Sequence, residues 1–238
     1  MTSKTPPTLS ARDRLIVALD VPDTATAERL AGSLTGHVGV FKIGLELAMS
    51  GGIDLARDLA ADGHNVFLDL KLLDISNTVT KAVENAANQG FAFLTVHAYP
   101  AAMRAAVAGL GDSKLCLLGV TVLTSLNTAD LAEAGYVDAP EALVLNRAQS
   151  AAATGMGGIV CSPNEVTAVR SKAGASLTIV TPGVRPAGSD SGDQKRVATP
   201  ASAIKAGADY LVVGRPITQS RDPKTAAAEI VTEIATAL

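Results

Sequence analysis

The 238-residue sequence predicts a single (β/α)8 TIM barrel, and three observations carry that expectation. Eight short aliphatic runs alternate with Ala-rich amphipathic stretches from Arg14 onward. The repeat recurs at about 30 residues per unit, which favours a closed barrel of about 250 residues over an open doubly wound sheet. No Pro/Ser-rich linker divides the chain. One catalytic domain is therefore expected over residues 14–238. The polar, Pro-containing segment 1–13 is expected as a disordered tail.

Taken in order, the strand candidates are LIVALD (15–20), VFKIGL (40–45), NVFLDLK (65–71), AFLTVHA (92–98), LCLLGVTVL (115–123), GIVCS (158–162), LTIVTPG (177–183) and YLVVG (210–214). Each has the length and aliphatic content of a parallel strand buried on both faces. Helices are expected between them at 23–34, 50–62, 74–90, 100–110, 140–155, 163–173, 199–206 and 216–236, with a short extra helix near 128–134. The longest irregular stretch, GVRPAGSDSGDQKR (183–196), has a composition and length that point to a functional loop.

Composition narrows the partners. With 47% hydrophobic and 18% charged residues the chain is globular, not disordered. A net charge of −3 without a basic stripe speaks against nucleic acid and anionic membranes, though local Lys and Arg can still hold a small anion. No stretch approaches the roughly 18–20 apolar residues of a membrane helix, and the N-terminus has no apolar signal core. Cys116 and Cys161 each lie in an apolar run, which fits reduced, buried thiols in a cytoplasmic protein. No His/Cys/carboxylate group has metal-ligand spacing. His37 and His64 fall near the starts of strands two and three, away from His97 on strand four, which is expected to be a hydrogen-bonded, partly buried residue.

Barrel chemistry collects at strand C-termini. Strand one ends in Asp20, strand two carries Lys42, and strand three runs into Asp69-Leu70-Lys71. Side-chain alternation puts Phe67, Asp69 and Lys71 on one face, with Asp69 and Lys71 about 6–7 Å apart at Cα. Inward charges are costly unless paired or used, so a structural ion pair and a catalytic array are the two readings. Asp74 by itself suits a helix N-cap, a role that does not preclude catalysis. Strand seven ends in Thr181-Pro182-Gly183 and strand eight in Gly214-Arg215. Paired Gly loops there commonly hold phosphate, and tight turns needing Gly are the plainer alternative.

The string Asp69-x-Lys71-x-x-Asp74-Ile75-x-x-Thr78 resembles the signature of the orotidine 5'-phosphate decarboxylase family, in its compact bacterial form. The likeness continues through LIVALD, FKIGLEL, TVHA, VTVLTS, VTPGVRP and VVGRPIT. It implies conversion of orotidine 5'-phosphate to UMP and CO2 without a cofactor. It further implies that Asp20 and Lys42 hold ribose hydroxyls, and that Asp69, Lys71 and Asp74 form the charged array. Thr124 and Ser125 would meet the pyrimidine edge. Pro182, Arg185, Gln194, Gly214 and Arg215 would bind on the phosphate side, and Asp74 and Thr78 would reach into the second site of a homodimer. An ammonium beside C6 would stabilise the carbanion left by CO2 and then protonate it.

Two other readings are weighed beside this one. A Mg2+-dependent sugar-phosphate enzyme of the 3-keto-L-gulonate 6-phosphate decarboxylase type resembles this chain in the Asp-x-Lys-x-x-Asp string. That type carries a metal-binding Glu where this chain has Lys42, and a cation there opposes a divalent metal. A non-catalytic phosphate-binding barrel would be favoured by a broken charged array, and every position of the array is filled.

Overall fold

Eight parallel strands pair in chain order and β8 closes onto β1 in the computed structural model, which describes residues 9–186 and 198–238. The strands are β1 (Leu15–Ala18), β2 (Val40–Gly44), β3 (Asn65–Leu72), β4 (Phe93–His97), β5 (Cys116–Val120), β6 (Gly158–Val160), β7 (Thr178–Thr181) and β8 (Tyr210–Val213). Each falls within one of the eight aliphatic runs, give or take a residue. The helices are α1 (Thr24–Leu34), α2 (Leu45–Leu47), α3 (Ile53–Ala61), α4 (Ser76–Ala87), α5 (Pro100–Gly109), α6 (Thr128–Glu133), α7 (Pro140–Thr154), α8 (Val166–Ala173), α9 (Pro200–Lys205), α10 (Arg215–Thr218) and α11 (Pro223–Ala235).

Alternation along the strands sorts the apolar side chains into two layers. Leu15, Val17, Phe41, Ile43, Val66, Leu68, Leu94 and Val96 pack outward against the helices. Ile16, Ala18, Val40, Phe67, Phe93, Leu118, Val180 and Val212 fill the barrel interior. Phe93 meets Phe67 and Tyr210 edge-on, with ring centroids 5.8 and 5.1 Å apart. A barrel packed this way is a solid floor, so the residues one or two positions further along each strand stand on it and form the mouth.

Three expectations change. The expected helix 50–62 is preceded by α2 and broken by a wide turn at Ala48–Gly52, where Gly51 takes φ 90°. Gly52 fits only because it lacks a side chain, since a Cβ there would lie 2.5 Å from the Leu47 carbonyl oxygen. The expected helix 216–236 is two helices, because Pro223 cannot continue α10 and Asp222 caps α11 by accepting from the Lys224 and Thr225 amides at 3.1 Å. Finally, the segment expected as a disordered tail over 1–13 is structured in its described part. Ser10 Oγ donates to Asp13 Oδ2 at 2.7 Å, and the Asp13 backbone fills the space where Gly39 has no Cβ. Among the described residues no helix is long and apolar enough to cross a membrane. Cys116 and Cys161 are free thiols, and burial pushes the Cys116 thiol up to about 11.

Candidate active site

The inward columns of β1, β2 and β3 meet the cavity in the charged residues Asp20, Lys42 and Asp69. On β2 the column runs Val40, Lys42, Gly44, and pairing sets Lys42 beside Ala18 and Phe67, and Gly44 beside Asp69. Lys42 is only 5% exposed, a position tolerable for an ammonium because it is paired on two sides. Its Nζ lies 2.9 Å from Asp20 Oδ1 and 3.5 Å from Asp69 Oδ2. Asp69 turns its other oxygen to Lys71 Nζ at 2.8 Å. The result is an alternating row, Asp20–Lys42–Asp69–Lys71. Gly44 leaves the room it needs, for a Cβ there would sit 2.5 Å from Asp20 Oδ1 and 2.9 Å from Lys42 Nζ.

The end of β3 is not a regular strand. Its register with β4 shifts between Leu68 and Leu72, and Lys71 has φ 51°, the one positive value on a non-glycine among the described residues. A left-handed L-residue costs about 1–2 kcal/mol, and such strain persists where the surroundings impose it. Here the Lys71 amide donates to Thr95 Oγ1 at 2.9 Å, while the Thr95 hydroxyl donates to Asp69 Oδ1 at 3.0 Å. Thr95 thus ties the strained backbone to the carboxylate that holds the ammonium. Burial works to raise the Asp69 carboxyl. The charges of Lys42 and Lys71, with hydrogen bonds from Lys71 and Thr95, outweigh it and hold Asp69 below the usual carboxylate value.

Above this row lies a cavity of about 690 Å³. Asp20, Lys42, Asp69, Lys71, Thr124, Ser125, Pro182, Arg185, Gly214 and Arg215 all line it. The charged row forms one wall, the loop after β5 another, and the Pro182–Arg185 and Gly214–Arg215 loops a third. Arg185 is anchored by its own backbone: its amide donates to the Ala198 carbonyl at 2.9 Å, and Nη1 donates to the Val184 carbonyl at 2.9 Å. Gln194 lies outside the described residues.

Asp74 and Thr78 do not line the cavity, and both are exposed. The N-cap of α4 is Ile75, and the Asp74 carboxylate accepts from the adjacent Ile75 amide at 2.6 Å instead of from the first-turn amides. Asp74 is therefore not the cap that its residue type suggested, because α4 begins one residue too late for it. His97 also departs from expectation. No hydrogen bond joins its imidazole to another described residue, and it packs edge-on to Tyr99 at 6.3 Å. Burial, then the charges of Arg147 and Lys71, hold its pKa below the usual histidine value. His64 stacks edge-on with Phe41, and no group of three or more metal-ligating residues occurs among the described ones.

Glu46, Cys161, Thr218 and Gln219 also line the cavity, and the sequence assigns none of them a site role. Thr95 was within reach of strand parity, since it shares the inward face of β4 with Phe93 and His97. Gly44 lies in the FKIGLEL string, but nothing in the sequence shows the close approach that requires it.

Residues 13–230 match the family model described as Orotidine 5'-phosphate decarboxylase / HUMPS family. The fold is similar to the crystal structure of orotidine 5'-phosphate decarboxylase from Lactobacillus acidophilus, with 36% identity, TM-score 0.81, and 92% of this chain and 98% of that chain covered. It is also similar to an uncharacterized conserved protein from Geobacillus kaustophilus, with 33% identity, TM-score 0.79, and coverage of 92% and 99%.

Proposed function

This chain belongs to the orotidine 5'-phosphate decarboxylase/HUMPS family, and on that premise we propose that it converts orotidine 5'-phosphate to UMP and CO2 without a cofactor, as a cytoplasmic step of pyrimidine synthesis. The observation that carries this reading is the alternating row Asp20–Lys42–Asp69–Lys71 along one cavity wall. Loss of CO2 from C6 leaves an sp2 carbanion that the ring does not readily delocalise. Lys71, which lines the cavity, stabilises that charge with its ammonium and then donates the proton. Asp69, held ionised by its two lysines, fixes the ammonium and keeps it protonated. Asp20 and Lys42 take the ribose hydroxyls, and Thr124 and Ser125 the pyrimidine edge. Arg185 and Arg215, with Pro182, Gly214 and Gln194, take the phosphate.

Asp74 and Thr78 serve the second site of a homodimer in this reading. Their exposure supports it, as do the exposed apolar side chains flanking Asp74, Leu73 and Ile75, which are 53% and 72% exposed. The family name covers more than one chemistry, and Lys42 discriminates. A divalent cation shared by Asp20 and Asp69 would have to displace an ammonium already 2.9 and 3.5 Å from those carboxylates. These residues do not fit Mg2+, which disfavours the sugar-phosphate alternative. A non-catalytic barrel has no use for a strained Lys71.

Purified protein mixed with orotidine 5'-phosphate should show loss of ultraviolet absorbance at a rate unchanged by exhaustive EDTA treatment or added Mg2+. No turnover overturns the proposal. Activity lost to the chelator and restored by Mg2+ moves the assignment to the sugar-phosphate enzyme.

A further inference from the structure

Beyond β5 the chain enters Thr121–Ser125, the wall that carries the residues assigned above to the pyrimidine, and its first carbonyl, that of Thr121, has lost its ladder. Thr121 still bonds β6, its amide and its hydroxyl both donating to the Val160 carbonyl at 3.1 and 2.8 Å. One rung further β6 has ended, because Ser162 already caps the short turn at Pro163–Glu165. Among the described residues no backbone amide donates to the Thr121 carbonyl, although Thr121 is 1% exposed. An unsatisfied buried carbonyl costs about 1–3 kcal/mol.

Arg147, on α7, supplies the missing donor. Its Nη1 donates to the Thr121 carbonyl, and its Nη2 donates to the Tyr136 hydroxyl at 3.0 Å. The guanidinium also lies over two aromatic rings, 4.9 Å from the centroid of Tyr99 and 5.4 Å from that of Tyr136. The two tyrosine hydroxyls share a hydrogen bond at 2.5 Å. One planar cation thereby joins the exit of β4, the exit of β5 and the connection between α6 and α7. Only a guanidinium combines a fixed donor fork with a flat face for stacking.

We propose that Arg147 is a positioning residue for base recognition, setting the Thr121–Ser125 wall through the Thr121 carbonyl and the Tyr99–Tyr136 pair. The proposal rests on the reading that Thr124 and Ser125 meet the pyrimidine. It touches neither the phosphate wall nor the charged row, so its loss has a selective signature.

The test compares two ligands in equilibrium titrations, UMP and ribose 5-phosphate, which lacks the base. Arg147→Ala should weaken UMP by about tenfold or more, the usual scale for a lost charged hydrogen bond. Ribose 5-phosphate should be nearly unaffected, and millimolar guanidinium should restore UMP binding. Arg147→Lys guards against a misfolded alanine variant. Its ammonium can reach the Thr121 carbonyl or Tyr136 but not fork between them, so a loss of several-fold confined to UMP is expected. Equal losses for both ligands, or an unchanged ratio in folded Arg147→Lys, overturn the proposal. A wild-type protein that does not favour UMP over ribose 5-phosphate refutes the base assignment itself and takes the proposal with it, so the two failures are told apart by the control.

Discussion

Two cations in this barrel have nearly the same exposure and opposite uses. Arg170, near the barrel's N-terminal end, has a side chain 24% exposed, and Lys71 at the mouth has one 29% exposed. Burial does not distinguish them, but hydrogen bonding does. Arg170 spends its donors on the carbonyls of Gly174, Leu177 and Gly207 and on Asp209, which in turn accepts from the Ile179 amide at 2.8 Å. That guanidinium is saturated and stitches α8 to the starts of β7 and β8. Lys71 makes one ion pair among the described residues, on a backbone at φ 51°. Its remaining donors face a cavity. A saturated cation holds the fold, whereas an under-coordinated one held in a strained position is available to a ligand.

Subunit mixing gives the largest contrast. In the proposed shared-site homodimer, the Lys71→Ala and Asp74→Ala proteins should each be nearly inactive. Their heterodimer has one site with both defects and one with neither, so exchange should restore up to one working site per heterodimer. No recovery, with heterodimers confirmed by mass, would make Asp74 an in-chain residue.

Next in size is Gly44→Ala, which pushes a methyl into the Asp20–Lys42 pair. Displacing such groups by about 1 Å costs on the order of 10²-fold in kcat/KM. Full activity would mean that the row tolerates rearrangement. Arg170→Ala should do the reverse. It should lose about 2–3 kcal/mol of stability, as a charged network loses its centre, and keep kcat in the folded fraction. A selective fall in kcat would erase the distinction between the two cations.

These contrasts bear on how much was legible beforehand. All eight strands follow from the length and aliphatic content of their runs, and the inward parity of Asp69 follows from two-residue alternation beyond Phe67. Strand ends were less readable. Alternation assumes a regular strand, and the left-handed Lys71 lies within the register shift between Leu68 and Leu72, its amide bonded to Thr95 on the next strand. Asp74 was misjudged as a cap because residue preference does not say where α4 begins. The role of Gly44, inside FKIGLEL, is an absence, visible only once Asp20 and Lys42 are placed around it. Arg147 lies in an unremarkable helical stretch, and its work is done on a carbonyl 26 residues away.

The smallest expected effect is on acid stability. Asp69 is held below its ordinary value of 3.8 in the folded protein. Its contribution is therefore fully present above that value and is lost as pH falls through the lower, folded one. Stability of the wild type relative to Asp69→Asn should be constant near neutrality and shrink on acidification below about pH 4. A difference that stays constant through the acid range would mean that Asp69 carries no such linkage.

The central claim is that the Lys71 ammonium performs the proton transfer at C6. The direct measurement is turnover of orotidine 5'-phosphate by Lys71→Ala, taken on protein shown by titration to bind UMP. Nearly complete loss of kcat in a folded, ligand-binding variant is the expected result. Retention of more than about a tenth of the wild-type kcat, a barrier change of only about 1.4 kcal/mol, would contradict it.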